Sequence, residues 1–331
     1  MVPSPKPRNV LFDHDGGVDD LLSLMMLLAM PHINLMGIVV TPADCFLRPA
    51  VSASLKVLRF FGRLDIELSE GSLHGINPFP RDWRKHAYAI DALPILNELP
   101  QPDAYRRQGS SNDEAVGSLP APVAEPGHEF LARKLQEAVD PVTVLITGPV
   151  ANLAAALMAQ PDLADKIETV VWMGGALNVP GNVRDYDHDG TAEWNAFWDP
   201  VATDQLWQST VPITLFSLDA TNKVPVTMAF LHRLARQRRY PLSDLAGQCW
   251  ALTVGIIPSY EYVYHMWDTL TTGYLGAPQF ITFRQVRSEV VPNGPSAGRT
   301  KEVKQGGRVV QAAENVDVDG FQNYILELLR R

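Results

Sequence analysis

Asp13, Asp15, Asp19 and Asp20 crowd into one short part of the stretch FDHDGGVDDLLSLMMLLA, residues 12–29. The run Asn9-Val10-Leu11-Phe12 feeds into it and a long apolar run leaves it, so negative charge gathers where a strand hands over to a helix. Helix capping explains one or two of these residues, because an Asp at the N-cap or in the first turn meets free N–H groups and the positive end of the macrodipole. Capping does not explain Asp13 and Asp15, which precede the turn and would repel the others in a half-buried site. A cation that neutralises the cluster makes such crowding tolerable. The donors are oxygens and the chain has no Cys/His set for zinc, so Ca²⁺ or Mg²⁺ is the expected ion. Ca²⁺ takes about six to eight oxygens, more than one loop supplies, so other strand ends must contribute.

The elements that would bring those ends together follow from the pattern of the chain. Strands are expected at Asn9–Asp13, Asn34–Thr41, Val142–Thr147, Thr169–Met173 and Ile213–Ser217, with helices at Val18–Met30, Ser52–Phe61 and Ala151–Ala159. Strands followed by helices imply βαβ units, hence an α/β fold with a mainly parallel sheet. In such open sheets the ligand sits at the carboxyl ends of the strands, near a topological switch point. Those ends carry Asp44, Thr147 with a backbone carbonyl freed from the ladder, and Asp268 after the tyrosine-rich run SYEYVY. Asn182, Glu193 and Asn195, in the polar stretch 181–200, have the donor and acceptor mix that sugar hydroxyls need. Each of these residues alone also reads as a cap or a polar loop.

Composition narrows the class. The chain has 331 residues, 46% hydrophobic and 20% charged, enough for a sizeable core, and a formal net charge of −9. Its densest basic run, Arg236-Gln237-Arg238-Arg239, sits on an expected helix from Phe230 to Arg239 and reads as a solvated face. Nucleic-acid binding needs more concentrated positive charge. Two cysteines, Cys45 and Cys249, point to a reducing compartment. The N-terminus lacks an apolar leader and no run is long enough to span a membrane, so a cytoplasmic protein is expected. Residues 98–127, rich in Pro, Ser and Gly, read as a mobile surface loop within a single domain spanning 1–331.

Taken together and in order, the motifs resemble the nucleoside hydrolases, which cleave the N-glycosidic bond of ribonucleosides. The family fingerprint DTDPGxDD is matched by DHDGGVDD at 13–20. TPADCF (41–46), NPFPRDW (77–83), TGPVANLA (147–154), MGGALNVPGN (173–182), GTAEWNAFWDP (190–200), FSLDATNKVP (216–225) and WDTLTT (267–272) extend the likeness over nearly the whole chain. The pattern is most similar to the purine-preferring inosine–adenosine–guanosine branch. The resemblance implies a single α/β domain with a mostly parallel, Rossmann-like central sheet flanked by helices. It implies Ca²⁺ held by Asp15, Asp20, Asp268 and the Thr147 carbonyl, with Asp15 as the general base toward a metal-bound water. Asp19, Asn182, Glu193 and Asn195 would bind ribose hydroxyls, Asp44 would lie close to the sugar, and Asp13 would support the cluster. It further implies a homodimer or homotetramer working in purine salvage on inosine, adenosine or guanosine.

On the base side, the resemblance places a purine between Trp83 and Trp267, where stacking suits its flat face. In pyrimidine-tolerant branches a His directly precedes the last metal Asp; here that position is Trp267. His265 is an alternative acid, and Tyr260 and Tyr264 are candidates for base or ribose contact. The fingerprint departs at Gly16, where Pro is usual, and at Gly17, where part of the purine branch has Asn. Residues 255–266 also lack an Arg-containing acidic segment associated with that branch, so broader base specificity is an alternative. Two others remain: a haloacid-dehalogenase-like phosphatase, since an apolar strand here ends in DxDG, and a non-catalytic nucleoside-binding protein.

Overall fold

The computed structural model describes residues 7–74, 77–98, 119–185, 187–254 and 264–331. Its strands are β1 (Arg8–His14), β2 (Ile33–Val40), β3 (Leu68–Glu70), β4 (Val142–Ile146), β5 (Ile167–Met173), β6 (Ile213–Phe216), β7 (Ile281–Val290), β8 (Thr300–Glu302) and β9 (Arg308–Val316). They form one sheet in the order β3-β2-β1-β4-β5-β6-β9-β7-β8. Every pairing from β3 to β9 is parallel, while β7 is antiparallel to both β9 and β8. The fold is a single α/β domain with a mostly parallel sheet flanked by helices.

Strand order reverses between β1 and β4, which run side by side. The crevice outside their carboxyl ends is therefore the switch point where ligands bind in such sheets. β1 alternates strictly. Val10 and Phe12 enter one apolar layer, with the helices Val18–Ala29 and Leu47–Phe60, while Leu11 enters the other, with the helices Gly127–Glu137 and Ala151–Ala159. The helix Val18–Ala29 is buried along its length apart from Leu28. A helix so enclosed is apolar nearly all round. Burying a Leu or Met side chain gives roughly 1.5–3 kcal/mol, and Leu21, Leu22, Leu24 and Met25 together anchor its charged first turn in the interior.

Some bounds differ from the sequence expectation. The second helix begins at Leu47 rather than Ser52. The helix expected over Phe230–Arg239 spans Met228–Ala235, and Arg236–Arg239 are turns. Strands β3, β7, β8 and β9 were not anticipated: β3 is only three residues long, and β7 (ITFRQVRSEV) mixes buried and exposed positions with charge. Of residues 98–127, 99–118 lie outside the described residues. Val123 pairs with Ser69 in β3, and Gly127 already opens a helix.

Candidate active site

The end of β1 is held from both sides. Thr147 N–H donates to the Asp13 carbonyl (2.9 Å), and Thr41 N–H donates to the His14 carbonyl (2.7 Å). Alternation then sends consecutive side chains to opposite faces. The His14 ring stacks on Phe12 at 4.8 Å and lies 3.3 Å from Ser54 Oγ, with burial pulling its pKa down to about 3. Asp13 faces the other way. Its carboxylate accepts from Thr41 Oγ1 (3.0 Å) and Asn152 Nδ2 (3.0 Å), and burial pushes its pKa up to about 7.

The turn between strand and helix depends on two glycines for different reasons. Gly16 has φ +83°, and a Cβ there would run into Ala50. Gly17 has ordinary extended backbone, but a Cβ there would collide with the Asp44 carboxylate. Gly17 N–H donates to Asp20 Oδ2 (2.8 Å), so Asp20 caps the helix it belongs to. Gly16→Ala is expected to cost on the order of 1–3 kcal/mol, since it adds a left-handed strain to a steric clash. Urea unfolding measures this, and an unchanged midpoint would contradict it.

Five carboxylates converge beyond this turn. Oxygens of Asp15, Asp20 and Asp44 lie within 4.8 Å of one another, as do oxygens of Asp19, Asp20 and Asp268. Asp20 belongs to both groups and also accepts a hydrogen bond from Thr147 Oγ1. Asp19 accepts from the Tyr264 hydroxyl (2.6 Å) and from the backbone N–H of Asp268 (3.1 Å), tying the first helix to the helix Trp267–Gly273. Asp15, Asp19, Asp20 and Asp268 are buried and Asp44 is half-buried. Loss of hydration pushes Asp20 to about 7 and lifts Asp15, Asp44 and Asp268 well above the usual carboxylate range, with mutual repulsion adding to the effect. The Arg84 guanidinium opposes the shift at Asp44, but it also loses hydration itself.

The donor set suits a cation. Asp15 Oδ2 is buried and has no hydrogen-bond partner, an arrangement that costs free energy unless something positive meets it. All the ligating atoms are oxygens, which favours a hard divalent ion. The Thr147 carbonyl accepts from Asn195 Nδ2 (3.1 Å), which also donates to the Met173 carbonyl (3.0 Å). A carbonyl has a second lone pair, so Thr147 keeps acceptor capacity toward the cluster.

The residues anticipated as sugar contacts already have structural partners. The Glu193 carboxylate caps the helix Trp194–Trp198, accepting from Asn195 N–H (2.9 Å), Ala196 N–H (3.3 Å) and Gly175 N–H (2.8 Å). Burial outweighs these bonds and places its pKa at about 7. Asn182 Oδ1 accepts from Trp194 N–H (3.1 Å). Trp83 meets Phe79 edge-on at 5.5 Å, and Phe79 in turn packs on Trp194 and Trp198. Trp267 packs on Tyr264 at 4.8 Å and donates its indole N–H to Asn222 (3.0 Å). The two tryptophans sit in separate contact groups, and no ring contact joins them among the described residues. The His265 ring is tilted on Trp267 at 5.5 Å, and Tyr260 lies outside the described residues.

Three contributors were missed by sequence reasoning. Asn152, in the motif TGPVANLA, is a partner of Asp13 and Thr41. Trp172, in the buried half of β5, donates its indole N–H to the Gly148 carbonyl (3.0 Å) and so fixes the turn after β4. Arg84, adjacent to Trp83, is the cation beside Asp44.

A family profile described as inosine-uridine preferring nucleoside hydrolase matches residues 10–323. The chain belongs to this family. Its activity is thus that of a nucleoside hydrolase, an N-glycosidase, and the phosphatase reading of the DxDG motif falls away. The solved structure of the inosine-uridine preferring nucleoside hydrolase from Bacillus anthracis is 40% identical, with a TM-score of 0.85 over 98% of this chain and 99% of that one. A purine-preferring ribonucleoside hydrolase from Gardnerella vaginalis shares the fold at 23% identity, with a TM-score of 0.76 over 98% of each chain. The pyrimidine-specific ribonucleoside hydrolase RihA of Klebsiella pneumoniae (strain 342) is 28% identical over 243 residues, 72% of this hydrolase and 69% of that protein. Among the described residues, no helix is long and apolar enough to cross a membrane.

Proposed function

We propose that this nucleoside hydrolase cleaves purine ribonucleosides such as inosine, adenosine and guanosine to free base and ribose, with Ca²⁺ as its metal. The observation that carries the reading is the buried, partnerless Asp15 Oδ2 within a ring of carboxylates at the switch point of the sheet. Asp15, Asp20, Asp268 and the Thr147 carbonyl would hold the ion. Bound there, it would neutralise the cluster and favour ionisation of a nearby water.

Cleaving the C1′–N bond builds positive charge on the sugar, as in glycoside hydrolysis. The carboxylates are fixed in place before the reaction, so they meet that charge without reorganising. Asp15 takes the proton of the attacking water as general base. Asp19 accepts a ribose hydroxyl, its orientation set by Tyr264 and the Asp268 N–H. Asp44, Asn182, Glu193 and Asn195 complete the sugar site, each using acceptor or donor capacity beyond its structural bonds. Asp13 acts through its neighbours, holding Thr41 and Asn152 behind the cluster. The enzyme serves purine salvage in the cytoplasm as a homodimer or homotetramer.

Purine preference rests on Trp83 and Trp267 as stacking faces. A base–aromatic stack is worth about 1–3 kcal/mol, so Trp267→Ala is expected to lower kcat/KM for inosine by roughly 5- to 150-fold. An effect below about twofold would remove Trp267 from the base site.

A pyrimidine or mixed preference is the second reading. It is favoured by the RihA relatives and by the His265 ring beside Trp267. Steady-state ribose release from inosine and from uridine, with and without a chelator, separates the two. Inosine cleavage alone, abolished by chelation and restored by Ca²⁺, supports the purine reading. Equal rates would move the leaving-group role toward His265, testable by His265→Ala. Binding of nucleoside without any cleavage would favour a non-catalytic binding protein.

A further inference from the structure

Away from the carboxylates, a groove of about 590 Å³ is lined by Arg233, Arg236, Arg239 and Arg330, with Tyr240 at its wall. A single carboxylate, Glu327, also lines it, in a chain whose net charge is −9. Such a concentration of one sign in a concave surface raises the local potential for an anion. The groove is where the fold brings two sequence segments together, namely the turns after the helix Met228–Ala235 and the end of the helix Val318–Leu328.

Its floor is built and its rim is available. Buried Gln237 donates to the Leu326 carbonyl (2.9 Å) and accepts from Arg330 Nε (2.8 Å), which pins the two segments to each other. The plain alternative is that the arginines neutralise the carbonyl ends of the two helices. Those ends are served by other groups. Ser243 Oγ donates to the Leu329 carbonyl (2.7 Å), and the backbone N–H groups of Arg236 and Gln237 donate to the His232 and Leu234 carbonyls. The guanidinium bonds instead go to side chains: Arg233 to Gln322 and Asn323, Arg330 to Glu327, and Arg239 to the Tyr240 hydroxyl while lying over its ring. Arg236 is exposed, and no ion pair is found for it among the described residues.

We propose that this groove is a second ligand site that takes a small molecule carrying a diphosphate or longer phosphate chain. Guanidinium forks match phosphate oxygens two at a time, and the cationic lining here is all arginine with no lysine. The volume lies in the range of small-molecule sites, about 300–1,000 Å³, well beyond what one orthophosphate fills. The nucleoside site is acidic and would repel the same ligand, so the two sites sort their ligands by charge.

Equilibrium dialysis of the full chain against radiolabelled ADP at about 0.1 M salt tests the assignment. One saturable site is expected, displaced by unlabelled pyrophosphate but not by inosine. Arg236→Ala/Arg239→Ala should weaken it by at least about tenfold, or about 1.4 kcal/mol, with nucleoside hydrolysis and thermal unfolding unchanged. Both side chains are exposed, and Arg236→Glu alone offers a second variant that should also weaken binding. The proposal is overturned by absence of saturable binding up to about 1 mM, by equal binding to the variants, or by displacement with inosine. Orthophosphate competing as well as pyrophosphate would overturn the assignment of a phosphate chain.

Discussion

Asp15→Asn is expected to lower kcat by about 10²–10⁴-fold, the usual worth of a positioned general base, with a smaller change in KM. The amide has nearly the volume of the carboxylate, so the turn held by the Cys45 N–H bond to the Asp15 carbonyl (3.0 Å) stays in place. What is lost is a proton acceptor and one anionic oxygen for the cation. The companion expectation concerns stability and points the other way. In the chain freed of metal, Asp15 is raised by burial and by repulsion from Asp20 and Asp44, so removing its charge should raise the midpoint of thermal unfolding near neutral pH. An inactive variant that also melts lower would speak for a structural role. A kcat within about threefold of the parent would end the general-base assignment.

Parts of the site were not equally legible in the sequence. Asp13, Asp15, Asp19 and Asp20 stood out because carboxylates outnumbered the capping positions that a helix start offers. The central strands were legible because each carries a short apolar run that is buried in the sheet. β7 and β9 were not, since their antiparallel pairing leaves one set of residues exposed and their sequences carry Arg and Glu among the apolar positions. Asp44 looked isolated along the chain, and only the parallel pairing of β1 with β2 brings it beside Asp15 and Asp20. Glu193 was legible as a polar or capping residue, but its bond from the Gly175 N–H, distant in sequence, was not. Asn152 and Trp172 carry no pattern that separates a site-supporting side chain from an ordinary helix start or core aromatic. Their roles arise from neighbouring strand ends, which is tertiary information.

Removing the metal should make stability fall as pH rises, and restoring Ca²⁺ should cancel or reverse that slope. Asp13, Asp20 and Glu193 sit at about 7 in the folded chain, and Asp15, Asp44 and Asp268 are raised well above the usual range. In the unfolded chain these carboxyls lose their protons near pH 4. Between about pH 4 and 7 the folded state therefore binds more protons than the unfolded one, so the derivative of unfolding free energy with pH is negative. The stabilisation is complete below about pH 4 and is lost as pH climbs through about 7. One group moved from 3.8 to about 7 corresponds to roughly 4 kcal/mol, and coupling among the carboxylates makes the sum smaller than independent shifts imply. A bound cation inverts the preference, because it requires the ionised ligands and its affinity grows as protons leave. Thermal unfolding from about pH 5 to about pH 8 should show midpoints that fall with chelator, hold or rise with excess Ca²⁺, and separate most at the alkaline end. Asp20→Asn, which removes the carboxylate shared by both groups, should flatten the chelator curve and close the gap. A chelator curve without slope would mean that the cluster stays ionised without a cation, and the buried Asp15 Oδ2 would then need another partner.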